Sequence, residues 1–357
     1  MYNVTLDQLL ESCVVNEGSD LHIKANSPPL IRVHGDLLQL DMEPLNAEDV
    51  RHICFSILSD VRRVKFDEEW ELDFAYEIKE VARFRANLFM QRGQMGGVFR
   101  VIPYRIRTVE ELQLPEACMK FAERPRGLVL VTGPAGSGKS TTQAALVDYI
   151  NRNFPVHIIT VEDPVEFVHT DNLALVNQRE LETDTLSFPN ALRSALREDP
   201  DVILIGEMRD LETIQLAITA AETGHLVFGT LHTTDAVQTV DRVIDVFPTH
   251  QQQQIRMQMA VNLLGVVSQT LVKKADGTGR TAAYETLVAN SAVRNLIREA
   301  KTHQISSIIQ TGQRYGMKTL DQSLSDMVHS KVVTYEDALA KAGNPLEFKA
   351  LVGSDGK

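Results

Sequence analysis

Cysteine is scarce: Cys13, Cys54 and Cys118 are the only three in 357 residues. Scattered and odd in number, they exclude a disulfide framework and a C-x-x-C metal knuckle, and a reducing, cytosolic compartment is the simplest reading. Positive charge is also short. With 36 basic against 48 acidic residues the formal charge is −12, which argues against bulk attraction to nucleic acid or to an anionic membrane and leaves only a local basic patch. No apolar run reaches the roughly 18 residues of a spanning helix. Residues 1–15 lack a basic region followed by an apolar one, so neither a membrane span nor a signal peptide is expected. Internal repeats and low-complexity segments are missing too. What remains is an ordinary globular composition, 43% hydrophobic and 24% charged, in a chain long enough for two or three domains.

The most informative stretch is Gly133-Pro134-Ala135-Gly136-Ser137-Gly138-Lys139-Ser140-Thr141, which fits the phosphate-binding loop G-x-x-x-x-G-K-[ST]. Its context fits as well. Residues 127–132 form an apolar, β-branched segment of buried-strand type, and 142–150 read as a helix. Glycines let successive N–H groups turn inward without Cβ clashes, and the helix that follows points its positive end at the same spot. Such a nest binds a nucleotide triphosphate. Lys139 would lie along the β- and γ-phosphates, and the Ser140 hydroxyl would ligate Mg²⁺. Binding follows from the motif alone; hydrolysis needs more.

Before this loop, residues 6–16 have helical spacing, 18–23 and 30–35 read as paired strands, and Asn46 caps a helix through about residue 58. Residues 72–78, 83–89 and 97–101 alternate polar and apolar. The first hundred residues are thus a small α+β domain with an antiparallel sheet. Pro103, Arg105, Arg107 and Pro115 punctuate an expected linker, 102–114. Beyond it, short apolar strands alternate with helices, the pattern of a parallel sheet covered by helices. The remainder reads as mostly helical over 251–271, 292–300 and 320–328, with a strand-like interruption at 281–287 and a frayed tail at 353–357.

Strands at 156–161, 202–205 and 226–231 end in polar residues: Glu162 and Asp163, Glu207, and His232. Ligands of open α/β sheets bind beyond the carboxyl ends of strands, so these residues gather on the edge that holds the phosphate loop. A carboxylate there can orient the attacking water. Glu207 is the acid favoured for that role, with Glu162 as competitor, although Asp163-Pro164 reads equally well as turn chemistry. Asp201 precedes its strand and at about 3.3 Å per residue lies on the order of 20 Å from Glu207. His232 is placed to sense the γ-phosphate or to be a hydrogen-bonded core residue; His225, beside Gly224, is less well placed. Arg83 and Arg85 share one strand face, with Arg100 on the next strand and no obvious acid to pair with them. They read either as a solvated face or as a finger reaching a nucleotide held by a neighbouring subunit.

Taken with Gly18-Ser19-Asp20-Leu21-His22, the acidic stretch from Ile159 to Glu166, LRSALREDPDVILIGEMRD at 192–210, TGHLVFGTLHTTDAVQTVD at 223–241 and Ala292-Val293-Arg294-Asn295-Leu296-Ile297-Arg298-Glu299, the chain resembles the secretion-superfamily hexameric ATPases. Within them it is similar to the type IV pilus retraction ATPases of the PilT type. The resemblance implies an α/β fold with a small PAS-like α+β N-terminal domain (1–101), a linker (102–114) and a RecA-like P-loop ATPase domain with a helical C-terminal part (115–357). It implies six copies in a ring, with ATP and Mg²⁺ bound at the interface of the two domains. The ring would stand in the cytoplasm at the inner face of the inner membrane and reach the membrane only through the pilus machine's platform protein.

Glu207 would be the catalytic Walker-B glutamate, reaching Mg²⁺ through water opposite Ser140; Glu162 would belong to an acidic box, and His225 and His232 to a histidine box. Arg85 and Arg100 fall on the spacing of the family's nucleotide-reaching arginines. The motif at 292–299 is tied to retraction in the family, although Val293, Leu296 and Ile297 would equally serve a core helix with solvated charges. Ala135 replaces the family's usual Thr, and 257–267 and the tail after 344 match less well, which leaves room for an accessory retraction paralogue. Assembly ATPases of pili and type II secretion are longer and carry a tetracysteine zinc site, so extension ranks second. Two readings from other classes remain, a non-hydrolysing nucleotide-gated scaffold and a nucleic-acid motor, the latter disfavoured by the −12 charge.

Overall fold

The computed structural model describes residues 4–33, 35–102 and 104–353. His34 of the expected second strand, Pro103 of the expected linker and residues 354–357 of the expected tail lie outside the described residues. The chain divides into two compact units, Met1–Arg105 with Pro164–Phe167, and Ile106–Asp163 with Val168–Lys357.

The first unit is built on one sheet. Its strands are β1 (Asp20–Lys24), β2 (Leu30–Val33), β3 (Asp36–Gln39), β4 (Glu71–Ile78), β5 (Ala82–Gln91) and β6 (Gln94–Ile102). They lie in the order β3-β2-β1-β6-β5-β4 with every pairing antiparallel. Asn46 caps the helix Ala47–Phe55 through a reciprocal box with Asp49, which satisfies two otherwise orphaned N–H groups. Leu6, Leu10, Val50, Ile53 and Phe66 from the helices share one core with Leu21, Phe84 and Phe99 from the strands. Two elements carry no sequence signal. The helix Asp60–Glu69 is mostly charged, with Phe66 its one buried side chain, and every residue of β3 is exposed, so neither shows the usual apolar period.

The second unit holds a mixed sheet of β7 (Gly127–Thr132), β8 (His157–Glu162), β9 (Leu175–Glu180), β10 (Val202–Ile205), β11 (Leu226–Leu231), β12 (Leu263–Lys273) and β13 (Arg280–Val288). The order is β13-β12-β7-β11-β10-β8-β9; all neighbours are parallel except β12 with β13. Strands β7, β10 and β11 are buried along their whole length, as parallel strands covered on both faces must be.

The helix expected over 251–271 is wrong in its second half. The helix Thr249–Asn262 stops there, and Leu263–Lys273 is the strand β12. A continuous apolar run does not separate strand from helix by periodicity alone, and the β-branched Val266, Val267, Thr270 and Val272 favour the pleated form. Close packing completes the choice: a Cβ on Gly265 would meet Phe121 Cζ at 2.2 Å and Leu287 O at 2.5 Å. The edge strand β9 also escaped the sequence pattern, because only Leu175 and Val176 of its six residues are apolar and it shows no apolar alternation.

The helix Ser291–Arg298 buries Val293 and Ile297 completely. Arg294 is not a solvated charge. It donates to the carbonyls of Ala260 (2.7 Å), Leu263 (3.0 Å) and Val261, where the helix Thr249–Asn262 gives way to β12, and to that of Ala289 (2.8 Å) just after β13.

Glu285 of β13 accepts the Ala236 N–H at 2.8 Å and the Leu320 N–H, so one carboxyl serves the first turns of two helices. Burial pushes its pKa up to about 7, helped by Asp235 and Asp321 and opposed by the two N–H groups. The sign follows from linkage. A carboxyl with a raised native pKa keeps more protons folded than unfolded, so stability falls as pH rises from the unfolded value near 4.5 to about 7 and then levels off. The loss is on the order of 3 kcal/mol. Thermal unfolding of Glu285→Gln followed from pH 5 to pH 8 should show this part of the decline removed; an unchanged slope would assign it elsewhere.

Candidate nucleotide site

The loop leaves β7 at Gly133 and ends in the helix Lys139–Asn153. Gly133, Gly136 and Gly138 have φ of 144°, 73° and 92°, values that side chains rarely adopt. At Gly133 a Cβ would also stand 2.3 Å from the main-chain oxygen of Gln269. Lys139 Nζ donates to the carbonyls of Gly133 (2.8 Å) and Pro134 (3.2 Å), so its charge is already held over the loop. Pro134, Ala135 and Gly136 are exposed, and Ser140 and Thr141 are partly so.

Register places the other polar residues. Leu231 of β11 pairs with Thr132 of β7, and Ile205 of β10 pairs with Gly229 and with Val161 of β8. His232 therefore follows its strand beside Gly133, with Glu207 and then Glu162 further along the same carboxyl edge. His232 Nε2 lies 2.9 Å from Glu207 Oε1, and Arg209 donates to Glu207 Oε2 at 2.8 Å while standing 3.6 Å from Asp163 Oδ2. Burial works to raise the Glu207 carboxyl, but Arg209 and His232 outweigh it and hold the pKa below the ordinary glutamate value. Glu207 is thus an acceptor at neutral pH. Thr230 donates to the Gly206 carbonyl, fixing the turn that presents Glu207. A cleft of about 420 Å³ opens there, lined by Glu207, Arg209, His232, Thr233, Thr234 and Arg242. Two guanidinium groups and a histidine around one carboxylate suit a polyanion.

Glu162 is engaged differently. Its Oε1 accepts from Thr160 (2.6 Å) and from Gln178 of β9 (3.2 Å), on the far side of β10 from the loop. At about 4.8 Å per strand it stands roughly 14 Å from the β7 line. His225 must be corrected. It precedes β11, whereas His232 follows it, and the six residues between them put the two on the order of 20 Å apart at opposite sheet edges. His225 Nδ1 meets the Ala220 carbonyl at 2.9 Å, at the end of the helix Leu211–Glu222. The two histidines do not share a site within one copy of the chain.

In the first unit, Arg32, Asp20, Arg100 and Arg85 stand opposite one another across β2, β1, β6 and β5. Arg100 does have an acid, contrary to the sequence expectation: its Nε–H donates to Asp20 Oδ1 at 3.0 Å. That pairing spans 80 residues of chain, and Asp20 is 6% exposed. Sequence reasoning also missed Arg209, Thr230 and Gln269. Arg209 stands two residues after Glu207, where an ion pair between them was legible; Gln269 was hidden by the helix assigned to β12.

Comparison with known proteins gives the family. The type II/IV secretion system protein family matches residues 3–340. The type IV pilus retraction ATPase PilT of Pseudomonas aeruginosa is 52% identical over 343 residues, 96% of this chain and 99% of that protein. The type IV pilus ATPase PilU of the same species is 40% identical over 351 residues, 98% of this chain and 92% of that one. A crystal structure of the pilus retraction motor PilT with bound ADP shares the fold at a TM-score of 0.89 and 44% identity, covering 97% of this chain and 99% of that chain. Alike in sequence and in fold over nearly its whole length, this chain belongs to the type II/IV secretion system protein family, as one of its pilus retraction ATPases.

Proposed function

We propose that this ATPase works as a cytoplasmic ring of six copies that turns ATP hydrolysis into rigid-body movement between an N-terminal domain (1–101) and an ATPase domain (115–357) joined by 102–114. Its work is to draw pilin subunits out of a type IV pilus, acting on an inner-membrane platform protein. Among the described residues no helix is long and apolar enough to cross a membrane, which suits a machine that meets the membrane through a partner. The single observation that carries the reading is the line of Gly133, His232 and Glu207 along one carboxyl edge, where phosphates, charge and a water-orienting carboxylate come together.

The loop amides from Gly133 to Thr141 and Lys139 hold the phosphates, and Glu207 accepts a hydrogen of the attacking water. His232 and Arg209 keep Glu207 oriented and ionised. Glu162 supports this edge from β8. Ser140 and Glu207 are one neutral and one anionic oxygen donor. That set suits Mg²⁺, which keeps several waters and takes its remaining oxygens from substrate phosphates. When bound, the ion would neutralise charge developing on the transferred phosphoryl group. Arg85 and Arg100 are proposed to act on the nucleotide of a neighbouring subunit.

Greater identity to PilT than to PilU supports the principal retraction motor over an accessory paralogue. The test is complementation. A twitching-negative strain that lacks its retraction ATPase should regain colony spreading when it carries this chain. No spreading there, with spreading restored in a strain that lacks only its accessory retraction paralogue, would instead identify a paralogue.

A further inference from the structure

We infer that Gln269 is a positioning residue for ATP binding, holding the phosphate loop's amides in their receptive orientation; this rests on the nucleotide reading of that loop. The strand β12 runs parallel to β7, with Ser268 paired to Thr132. Gln269 therefore arrives at the point where β7 becomes the loop. Its side chain is 3% exposed and fully engaged. The Nε2 amide donates to the Ser137 carbonyl at 2.7 Å, and Oε1 accepts from the Thr142 hydroxyl at 2.8 Å.

The first of these bonds has a geometric consequence. In a trans peptide the carbonyl of one residue and the N–H of the next point in opposite directions. With the Ser137 carbonyl held against Gln269, the Gly138 N–H is turned away from β12. Gly138 is the N-cap of the helix Lys139–Asn153 and has no side chain to satisfy the end of that helix, so its amide and those after it are the groups offered to an anion. The second bond fixes the helix itself, because Thr142 is a buried residue of its first turn. One amide side chain thus joins loop and helix in fixed relation. A free loop could rotate the 137–138 peptide, presenting a carbonyl where an amide is needed and repelling phosphate.

The same strand begins at Leu263, whose carbonyl is held by Arg294. Gln269 is therefore carried on a strand held at its start and paired on both sides, with β7 and with β13, which suits a part that sets geometry.

The test uses the full-length chain with Gln269→Glu, Thr142→Val and Thr142→Ser, measuring ATP KM and kcat and titrating a fluorescent ATP analogue. Gln269→Glu keeps size and the acceptor for Thr142 but sets an oxygen against the Ser137 carbonyl. KM and the analogue's Kd should rise about 10-fold or more with kcat within about 3-fold of wild type, the signature of lost uniform binding. Thr142→Val should raise KM several-fold, and Thr142→Ser, which restores the hydroxyl, should return it to the wild-type value. Wild-type KM in both Gln269→Glu and Thr142→Val overturns the role of Gln269 and leaves the ATPase function intact. If Gln269→Glu does not fold, the valine and serine pair decides: equal KM values in the two refute the inference. Analogue binding by the wild-type chain, lost in Lys139→Ala, checks the nucleotide reading separately.

Discussion

Replacing Glu207 by glutamine is expected to leave ATP binding within about 3-fold of wild type and to lower turnover by about 10²–10³-fold, the range general-base groups contribute. The substitution keeps shape and removes charge. In the native chain Glu207 receives Arg209 on one oxygen and faces His232 across 2.9 Å on the other, so its ionised form is held below the ordinary glutamate pKa despite burial. A glutamine must turn its NH₂ toward one of those partners, losing an acceptor and with it the group that receives the water's hydrogen. The contacts proposed to hold the nucleotide lie in the loop, which this substitution does not touch. Phosphate release together with analogue titration measures both quantities, and unchanged turnover would remove Glu207 from the chemistry. Glu162→Gln is the control: Thr160 and Gln178 hold that carboxylate, and its turnover should fall less than about 10-fold.

The difference in legibility between these residues has a physical origin. The loop, its preceding strand and its helix are local in sequence, and the glycines announce their own backbone angles. Glu207 and His232 were readable because strands buried on both faces appear as short, continuous apolar runs whose ends are plain. Only strand direction was needed to see that His225 stands at the wrong end. Gln269 was unreadable by the same logic turned around: the apolar run of β12 follows a helix without a break, and nothing local separates Asn262 from Leu263. The inward face of the edge strand β9 is Val176, Gln178 and Glu180, mostly polar, so its sequence looks like loop. The Asp20 to Arg100 pair depends on β1 lying beside β6, a long-range arrangement that a single sequence does not encode in any window.

That last pair bears on the ring itself. Arg85 and Arg100 are direct cross-strand neighbours, and like charges in that position repel. The structure offsets the repulsion with Asp20, which takes the Nε–H of Arg100 and a hydroxyl from Ser19 at 2.8 Å. The bond to Asp20 uses one of the five N–H donors of a guanidinium, and the side chain is 67% exposed. An arginine anchored at Nε and presented outward is pre-organised for an anion, whereas a purely structural pair would gain little at such exposure.

If that anion is the nucleotide of a neighbouring subunit, Arg100→Ala alone should lose about 10³-fold in turnover, the low end for an arginine finger. Lys139→Ala should be inactive because its own loop fails. Mixed in equal amounts, the two dead proteins should recover about a quarter of wild-type turnover, since random assembly then sets an intact loop beside an intact arginine at about one site in four. Arg85→Ala mixed with Lys139→Ala should recover likewise. A site complete within one subunit gives no recovery at any ratio, and that result would overturn the shared-site ring.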